Sequence, residues 1–325
     1  MTEAECLPTR IGFLLVPDFA LMSYASIVEP FRAANMLSGR SLYSWRHYSI
    51  DGTPARASNG IEIVVDGIID PTEPIDTLFV VAGGNPSTIR HRATLSRLCR
   101  LAARGVAIGG VSGGPFLLAR AGLLDGHRCT IHWEHEAAFT EAFPQIAVER
   151  SLYVIDRDRL SCAGGTAGLD LAIELIGEAH GPALAAQVGE WYIRTQPREG
   201  AGAQRPSLAQ RYRLAHPGMR TALAAMEANL AEPLSREELA ASAGVSLRQL
   251  ERLFANGIGR TIGQEYLGLR LEAALRLLRE TDLSRIDVAV ACGFADAGHF
   301  SRVFRARFGV TPSRARRGVA APRPS

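Results

Sequence analysis

The chain has 325 residues, of which 47% are hydrophobic and 21% charged, and its mean hydropathy is +0.04. This composition is typical of folded globular proteins and excludes a disordered or fibrous chain, and the length predicts about two domains. No run of about 18 uncharged apolar residues is present, so we expect no transmembrane helix and no membrane partner. The first apolar run, 11–16, is shorter than the core of a signal peptide and follows Glu3 and Glu5, so we expect a cytoplasmic protein.

The cysteines are scattered and odd in number: Cys6, Cys99, Cys129, Cys162 and Cys292. They form no C-x-x-C pair and no cluster with histidine, so they indicate neither a disulfide framework nor a zinc site. We therefore expect reduced thiols, no bound metal and no cofactor.

The net charge of +3 conceals an asymmetry along the chain. Residues 1–205 contain 18 arginines against 22 acidic residues, a net charge of −4, whereas residues 206–325 contain 18 arginines against 11 acidic residues, a net charge of +7. A basic C-terminal third favours a polyanionic partner.

Short apolar runs alternate with longer amphipathic stretches over the first 195 residues. The strand-like runs are 11–16, 61–65, 77–82 and 106–109, and the helical stretches are 23–37, 87–104, 115–121 and 166–179. Strands separated by helices predict βαβ units, which place helices on both faces of a parallel sheet. We therefore expect a doubly wound α/β domain over residues 1–195, with ligands bound at the carboxyl ends of its strands.

The composition changes after this domain. Residues 196–206 read QPREGAGAQRP, with no apolar periodicity. Clustered proline and glycine predict a linker, which we place at residues 196–216.

The remaining sequence is helical in pattern and contains an internal repeat at a separation of 49 to 50 residues. Gly244 corresponds to Gly293, Arg252 to Arg302 and Phe254 to Phe304. Each repeat has a short helix, a glycine turn and a second helix, which predicts helix-turn-helix units at 235–255 and 284–308. Capping-box spacings at Ser235, Ser246 and Ser284 mark helix starts, and one apolar stripe predicts a connecting helix over 264–280.

The second helix of each repeat has an apolar face and a polar face, as a DNA recognition helix requires. Arginine can pair with guanine in the major groove, and glutamate can accept a hydrogen bond from cytosine. The candidate DNA-binding residues are Arg248, Glu251, Arg252, Gly298, His299, Ser301 and Arg302. The alternative is a solvated charged face on an ordinary helical bundle, but two units in the same register favour double-stranded DNA as the partner.

Two segments carry a family resemblance: LAASAGVSLRQLERLF at 239–254 and ACGFADAGHFSRVFRARFGVTP at 291–312. They resemble the two halves of an AraC-type DNA-binding domain. The resemblance implies an all-α domain over 217–318, followed by a tail at 319–325. It also implies that the two recognition helices enter successive major grooves, about 34 Å apart.

The sequence Gly110-Val-Ser-Gly-Gly114 in the first domain matches G-x-S-x-G, the elbow that presents a nucleophile at a strand-to-helix turn. A serine nucleophile at Ser112 would need a base and an acid, and His132 and His135 follow closer than the hydrolase order places them. One hypothesis is therefore an amidase or hydrolase using Ser112. The other is that the glycines let backbone amides converge on an anion.

The first domain resembles the PfpI-like branch of the class I glutamine amidotransferase-like superfamily. The resemblance rests on VAGGN at 81–85, GVSGGPF at 110–116, TIHW at 130–133 and CAGGTAGLD at 162–170. It implies a flavodoxin-like fold. Active members carry Cys-His at the elbow, where this chain has Ser112 and Gly113, and the acid early in the first helix is replaced by the stretch ending in Ser23. We therefore expect a sensor and not an enzyme.

Fusion of these two domains resembles the GlxA-type regulators. The resemblance implies a homodimeric transcriptional regulator, expected to be an activator, that responds to a small nitrogen-containing metabolite such as an amino acid or a quaternary amine. Backbone N–H groups could bind a carboxylate, and an acidic and an aromatic side chain could receive a cation. The candidate effector-binding residues are Glu29, Gly83, Gly84, Ser112, Gly113, His132 and Trp133. A first domain that only dimerises is a further possibility.

Overall fold

The computed structural model describes residues 7–194 and 196–317. Within the chain, two compact units are formed by Met1–Gln204 and Arg205–Ser325, here called the first and second units. The boundary falls inside the stretch predicted as a linker. The predicted tail at 319–325, together with Glu3, Glu5 and Cys6, lies outside the described residues. Among the helices that the structure describes, none is long and apolar enough to cross a membrane.

The first unit contains alternating strands and helices. Its strands are β1 Thr9–Leu15, β2 Tyr43–Ser49, β3 Ala55–Arg56, β4 Glu62–Ile63, β5 Gly67–Ile68, β6 Thr77–Ala82, β7 Ala107–Ser112, β8 Arg128–Cys129, β9 Ala147–Val148, β10 Tyr153–Asp156 and β11 Arg159–Cys162. Its helices are α1 Leu21–Ser38, α2 Arg92–Ala103, α3 Pro115–Arg120, α4 Glu136–Ala142, α5 Ala167–His180 and α6 Pro182–Trp191.

Seven of these strands form one sheet in the order β10-β11-β7-β6-β1-β2-β5, and the pairs β3-β4 and β8-β9 form two small sheets of their own. The pairs of the seven-stranded sheet are parallel except for β10 with β11. Alternate residues of β1 enter different cores: Phe13 packs with α1 and α5, and Leu14 packs with α2 and α3. The predicted fold, a doubly wound α/β sheet with helices on both faces, is confirmed.

The strand predicted at 61–65 is the clearest difference from the sequence pattern. Only Glu62–Ile63 is extended, and it pairs with Ala55–Arg56 outside the main sheet. The sheet instead includes β2, whose sequence YSWRHYS has no apolar run. Tyr48 is nevertheless buried, because its ring covers the sheet while its hydroxyl donates to Glu73 at 2.5 Å.

The second unit contains helices and no strand over its described residues, 205–317. Its helices are α7 Leu208–Arg211, α8 Pro217–Ala228, α9 Arg236–Ser242, α10 Leu247–Ile258, α11 Ile262–Glu280, α12 Arg285–Ala291, α13 Ala297–Phe308 and α14 Pro312–Arg316. They build two apolar cores, one around Phe254 and one around Phe304. Helix α11 contributes Tyr266 to the first core and Leu271 to the second, so it joins the two helix-turn-helix units. The predicted all-α double helix-turn-helix fold is confirmed.

The stretch predicted as a linker is packed in place over much of its length. Arg198 forms an ion pair with the buried Asp170, and the carbonyl of Gly200 accepts from the N–H of Leu152 at 2.7 Å. Further along, Leu208 is buried in the second unit. The prolines and glycines predicted irregular backbone here. They did not predict that residues 198 and 200 bond to the first unit or that Leu208 packs into the second.

Candidate effector site and nucleic-acid interface

The turn between β7 and α3, residues 112–114, is here called the elbow. Ser112 adopts φ 59°, in the left-handed region that non-glycine residues rarely enter. It is buried, with 5% of its surface exposed to solvent. A Cβ on Gly114 would lie 2.1 Å from the carbonyl oxygen of Val80, so only glycine fits there. The sharp strand-to-helix turn that the motif predicts is therefore present, with Ser112 at the carboxyl end of β7.

Residues from two other segments close around Ser112. A Cβ on Gly164 would lie 2.5 Å from the Ser112 Cβ and 2.7 Å from the Ser23 Oγ, which places these three residues together. The N–H of Gly165 donates to the Ser23 Oγ at 2.8 Å. Ser23 is buried in the first turn of α1, in the stretch where the resemblance expects an acid. A hydroxyl at this position supplies no carboxylate to orient a catalytic base.

The glycine amides predicted to bind an anion divide into two groups. The N–H of Gly113 donates to the carbonyl of Ala82 at 3.0 Å and is therefore already used by the fold. Gly83 lies against the loop before α1, since its Cβ would approach the Asp18 carbonyl oxygen to 2.7 Å, and Gly84 has φ 59°. Among the described residues, neither the Gly83 nor the Gly84 N–H has a backbone acceptor, so these two amides suit an anion better than Gly113.

His132 and Trp133 lie beside the elbow. The backbone N–H of His132 donates to the Ser112 carbonyl at 3.3 Å, and the rings of His132 and Trp133 are 5.2 Å apart. The N–H of Trp133 donates to the Gln204 Oε1 at 2.8 Å. His135 is buried, with its ring 5.8 Å from that of His132.

Glu29 is the one predicted effector residue with its described contacts elsewhere. Its carboxylate pairs with Arg32 at 2.7 Å and accepts from the Tyr192 hydroxyl at 3.1 Å. It lies fewer than two helical turns after Ser23, about 9 Å along α1 at 1.5 Å per residue. Its neighbours are therefore residues of α1 and the end of α6, and not the elbow.

Cys162 lies at the end of β11, under the elbow. It is fully buried, and burial raises the pKa of its thiol to about 12, although the backbone N–H groups of Gly164 and Ser112 oppose this shift. The thiolate is the nucleophilic form of cysteine. At neutral pH Cys162 is therefore a thiol that fills space, and it does not replace the cysteine missing from the elbow.

In the second unit, α10 presents the first set of predicted DNA-binding residues. Ser246 begins the helix by accepting from the Gln249 N–H at 3.3 Å, and Leu250 and Phe254 are buried against the core. The opposite face carries the exposed residues Arg248, Glu251 and Arg252. Glu251 lies 3.5 Å from Arg236 of α9.

Helix α13 presents the second set. The Asp296 carboxylate accepts from the N–H groups of Gly298 and His299 at 3.0 and 2.7 Å, and these hydrogen bonds hold the pKa of that carboxyl below its usual value. Gly298, His299 and Arg302 are exposed. Ser301 is half-buried, and its hydroxyl donates to the Ala297 carbonyl at 2.8 Å. The fold thus already uses the Ser301 hydroxyl.

The two recognition helices are held by one continuous helix. Helix α11 has 19 residues and is about 29 Å long at 1.5 Å per residue. Arg270 in its middle stacks over the Phe294 ring at 4.1 Å and donates to the carbonyls of Cys292 and Gly293 at 2.8 and 2.6 Å. These contacts attach α11 to the turn of the second helix-turn-helix unit.

Comparison with known proteins identifies both parts of the chain. Residues 10–178 match the DJ-1/PfpI family, and residues 239–318 match a helix-turn-helix domain. The HTH-type transcriptional regulator CdhR of Pseudomonas aeruginosa is 44% identical over 94% of this chain and 90% of its own length. The chain belongs to the AraC-type helix-turn-helix transcriptional regulators with a DJ-1/PfpI domain.

Two further similarities support this membership. The HTH-type transcriptional regulator GlxA of Rhizobium meliloti is 42% identical over 95% of this chain and 95% of its own length. A crystal structure of an AraC family transcriptional regulator from Pseudomonas putida is 32% identical, with a TM-score of 0.52, over 57% of this chain and all of that chain. As an AraC-type helix-turn-helix regulator, the protein binds DNA.

In this regulator, Gln204 and Arg270 were not predicted as functional residues from the sequence, and Ser23 was predicted only as the position of a missing acid. Ser23 could have been found from its place in the first turn of the predicted helix. Gln204 carries no local signal, because it lies in a stretch of glycine and proline and its partners are more than 50 positions away. Arg270 looks like any charged residue on an amphipathic helix.

Proposed function

We propose that this protein is a ligand-controlled transcriptional activator whose DJ-1/PfpI domain senses a small nitrogen-containing metabolite, an amino acid or a quaternary amine, without converting it. The observation that carries the proposal is the elbow. Ser112 keeps the strained backbone of a nucleophile position, yet Gly113 follows it and the Ser23 hydroxyl takes the place of the acid. The strained turn of a nucleophile position is retained, while the catalytic acid is absent from that position.

The two parts of such a metabolite have separate partners at the elbow. The N–H groups of Gly83 and Gly84, which have no backbone acceptor in the part of the chain that the structure describes, suit the carboxylate, since oriented backbone amides bind anions. The indole of Trp133, beside His132, suits the ammonium by a cation–π contact. The Ser112 hydroxyl, which lies beside Gly164, would supply a further polar contact. Glu29 is less suited to bind the ammonium than its place in the sequence indicated, because its carboxylate already pairs with Arg32.

The DNA-reading residues are proposed from exposure and helix placement. Arg248, Glu251 and Arg252 of α10, and His299 and Arg302 of α13, project from helices whose opposite faces are buried. Gly298 suits a close approach of the helix to the DNA backbone, because it adds no side chain. Ser301 is assigned to packing more than to base contact.

The effector is tested by a thermal-shift screen of the full-length protein against amino acids, glycine betaine, carnitine and related amines. A compound at about 100 times its Kd adds roughly 2.7 kcal/mol of stability. We expect a stabilising compound to be recovered intact by mass spectrometry and to bind Ser112→Ala with altered affinity. Recovery of a hydrolysed product, abolished by Ser112→Ala, would establish a hydrolase instead.

Activation and dimerisation are tested separately. A homodimer is proposed because symmetric pairs are the common assembly for binding repeated DNA half-sites. Sedimentation equilibrium of the full-length protein should give twice the 35.0 kDa chain mass. Activation predicts that deleting the gene lowers transcription from promoters that the protein occupies in vivo, whereas higher transcription would indicate a repressor.

A further inference from the structure

The segment that leads from the first unit to the second, residues 196–204, is fixed at its end by one side chain. The Gln204 Nε2 donates to the Thr130 Oγ1 at 3.0 Å and to the carbonyls of Ile131 and Ser151 at 2.9 Å. Its Oε1 accepts from the Trp133 N–H at 2.8 Å. One amide thus uses both of its polar atoms on the loop that contains His132 and Trp133.

The start of the same segment is fixed to a different loop. Arg198 forms an ion pair with the carboxylate of Asp170, whose side chain has no exposed surface, and the carboxylate also pairs with Arg194 at 2.7 Å. Arg198 donates as well to the Thr166 Oγ1 at 2.8 Å. Thr166 belongs to the loop between β11 and α5, the loop that includes Gly164 and Gly165.

Both of these loops border the elbow. Gly164 packs against Ser112, and the Gly165 N–H donates to the Ser23 Oγ. In the other loop, the His132 N–H donates to the Ser112 carbonyl. A molecule that enters the elbow and shifts either loop therefore also shifts a group to which the segment is bonded.

Little chain separates this anchor from the DNA-binding unit. Gln204 is the last residue of the first unit, and Ser207 begins α7 with a capping box to Gln210. Leu208 is already buried in the core of the second unit. The three steps along the chain from Gln204 to Ser207 span about 11 Å at most. Release of Gln204 would lengthen the free connection, and its retention keeps the connection short.

We propose that Gln204, supported by Arg198, couples occupancy of the elbow to DNA binding by holding the segment 196–204 on the two elbow loops. The proposal rests on the proposed sensing function, since it needs a molecule at the elbow. Gln204 and Arg198 are positioning residues here. They bond to the two elbow loops and thereby set the length of the free connection to the second unit.

The first experiment measures coupling in the full-length protein. Its DNA is a duplex selected from a random pool by the wild-type protein, and its probes are glycine betaine, carnitine and arginine, each used at saturation. The Kd for DNA with and without each probe gives a coupling ratio, and coupled sites commonly differ by about 5-fold to 150-fold. We expect Gln204→Ala and Arg198→Ala to reduce this ratio to below about 2-fold while changing the Kd for the probe by less than about 3-fold.

The matched control is Ala203→Ser, an exposed neighbour in the same segment, which should keep the wild-type ratio. A merely structural role for Gln204 would lower stability without changing the ratio. Wild-type coupling in a folded Gln204→Ala protein would overturn the proposal.

A second experiment requires no ligand, so that failure of the proposed effector class remains distinguishable. Ser23→Ala removes the acceptor of the Gly165 N–H at the elbow. In hydrogen exchange, we expect the Trp133 and Leu152 amides, which bond to Gln204 and to Gly200, to exchange at least about 3-fold faster in this variant. Unchanged exchange at both amides would show that the elbow does not reach the segment, and would overturn the proposal whichever probes bind.

Discussion

The two helix-turn-helix units share a framework and differ in what they present to solvent. Each second helix begins at a side-chain cap and ends at a left-handed glycine, Gly259 with φ 72° and Gly309 with φ 71°. Each buries a phenylalanine at the same register, Phe254 or Phe304. The outward faces do not match, since α10 carries two arginines and a glutamate where α13 carries one arginine, a histidine and a glycine. The internal repeat thus preserves the folding residues and, among the proposed DNA-reading residues, the arginine found at Arg252 and Arg302.

The two helix-turn-helix units also differ in how α11 is attached to them. In the first, the Tyr212 hydroxyl and Arg260 bond to the buried carboxylate of Glu265, at 2.6 and 3.0 Å. In the second, Arg270 bonds to the carbonyls at the end of α12. Each attachment is electrostatic, but only the second joins α11 to the turn that precedes a recognition helix.

The largest expected effect comes from the two cores. Phe254→Ala and Phe304→Ala should each lower the free energy of unfolding by about 3 to 5 kcal/mol, because each deletes a fully buried ring. Since the cores are separate, the rate of amide hydrogen exchange should rise mainly in the helix-turn-helix unit that carries the substitution. Denaturant titration gives the first quantity and exchange by mass spectrometry the second. Equal loss of protection in both units would show that they fold as one core.

Arg270→Ala should cost about 2 kcal/mol of stability, because it leaves the carbonyls of Cys292 and Gly293 without their donor. Arg270→Lys keeps the charge but loses the planar group over Phe294, so it should fall between the alanine variant and the wild type. Thermal unfolding of the three proteins measures this order. A lysine variant as stable as the wild type would show that charge alone makes the attachment.

Arg252→Ala and Arg302→Ala should each weaken binding to the selected DNA duplex by about 1 to 3 kcal/mol, the typical worth of a side chain that reads a base. Arg220→Ala, on the exposed face of α8, removes the same charge outside both recognition helices and serves as the control. Fluorescence anisotropy on selected and random duplexes separates the two contributions. Equal losses on both duplexes would indicate phosphate contacts instead of base reading.

The smallest expected difference concerns the two caps. Ser246→Ala should cost about 1 kcal/mol at every pH. The pKa of Asp296 is lowered in the folded protein by the Gly298 and His299 N–H groups, so its contribution is fully present above the unfolded pKa of about 3.9 and is lost as the pH falls through the lower folded value. The stability deficit of Asp296→Ala should therefore shrink below pH 4, whereas that of Ser246→Ala should not. Denaturant titrations from pH 7 to pH 3 measure both, and parallel pH profiles would contradict the assignment of the cap.

The second unit was predictable from sequence because its determinants are local. Glycine turns, apolar stripes and caps lie within a few residues of the elements they define. The capping boxes expected at Ser235 and Ser284 are formed, with Glu238 and Asp287 as the reciprocal partners. Asp296 was missed as a cap, although an aspartate before a helix is an ordinary N-cap signal.

The first unit was predictable in its class and less so in its details. The limits of β6 were found because it has a continuous apolar run, whereas β7, predicted at 106–109, extends over Ala107–Ser112. The edge of the sheet formed by β10 was not predicted, because β10 and β11 form a short hairpin whose polar residues show no clear alternation. The surroundings of Ser112 also escaped prediction, because Ser23 and Gly164 reach it from about 90 and 50 positions away.

Footprinting of the full-length protein on its selected duplex tests most directly whether both helix-turn-helix units read DNA. We predict two protected major-groove segments about 34 Å apart, one helical turn, since α11 joins the units as one helix. Arg252→Ala should weaken protection in one segment and Arg302→Ala in the other. A single protected segment, weakened by Arg252→Ala and unaffected by Arg302→Ala, would contradict a DNA-reading role for the second helix-turn-helix unit.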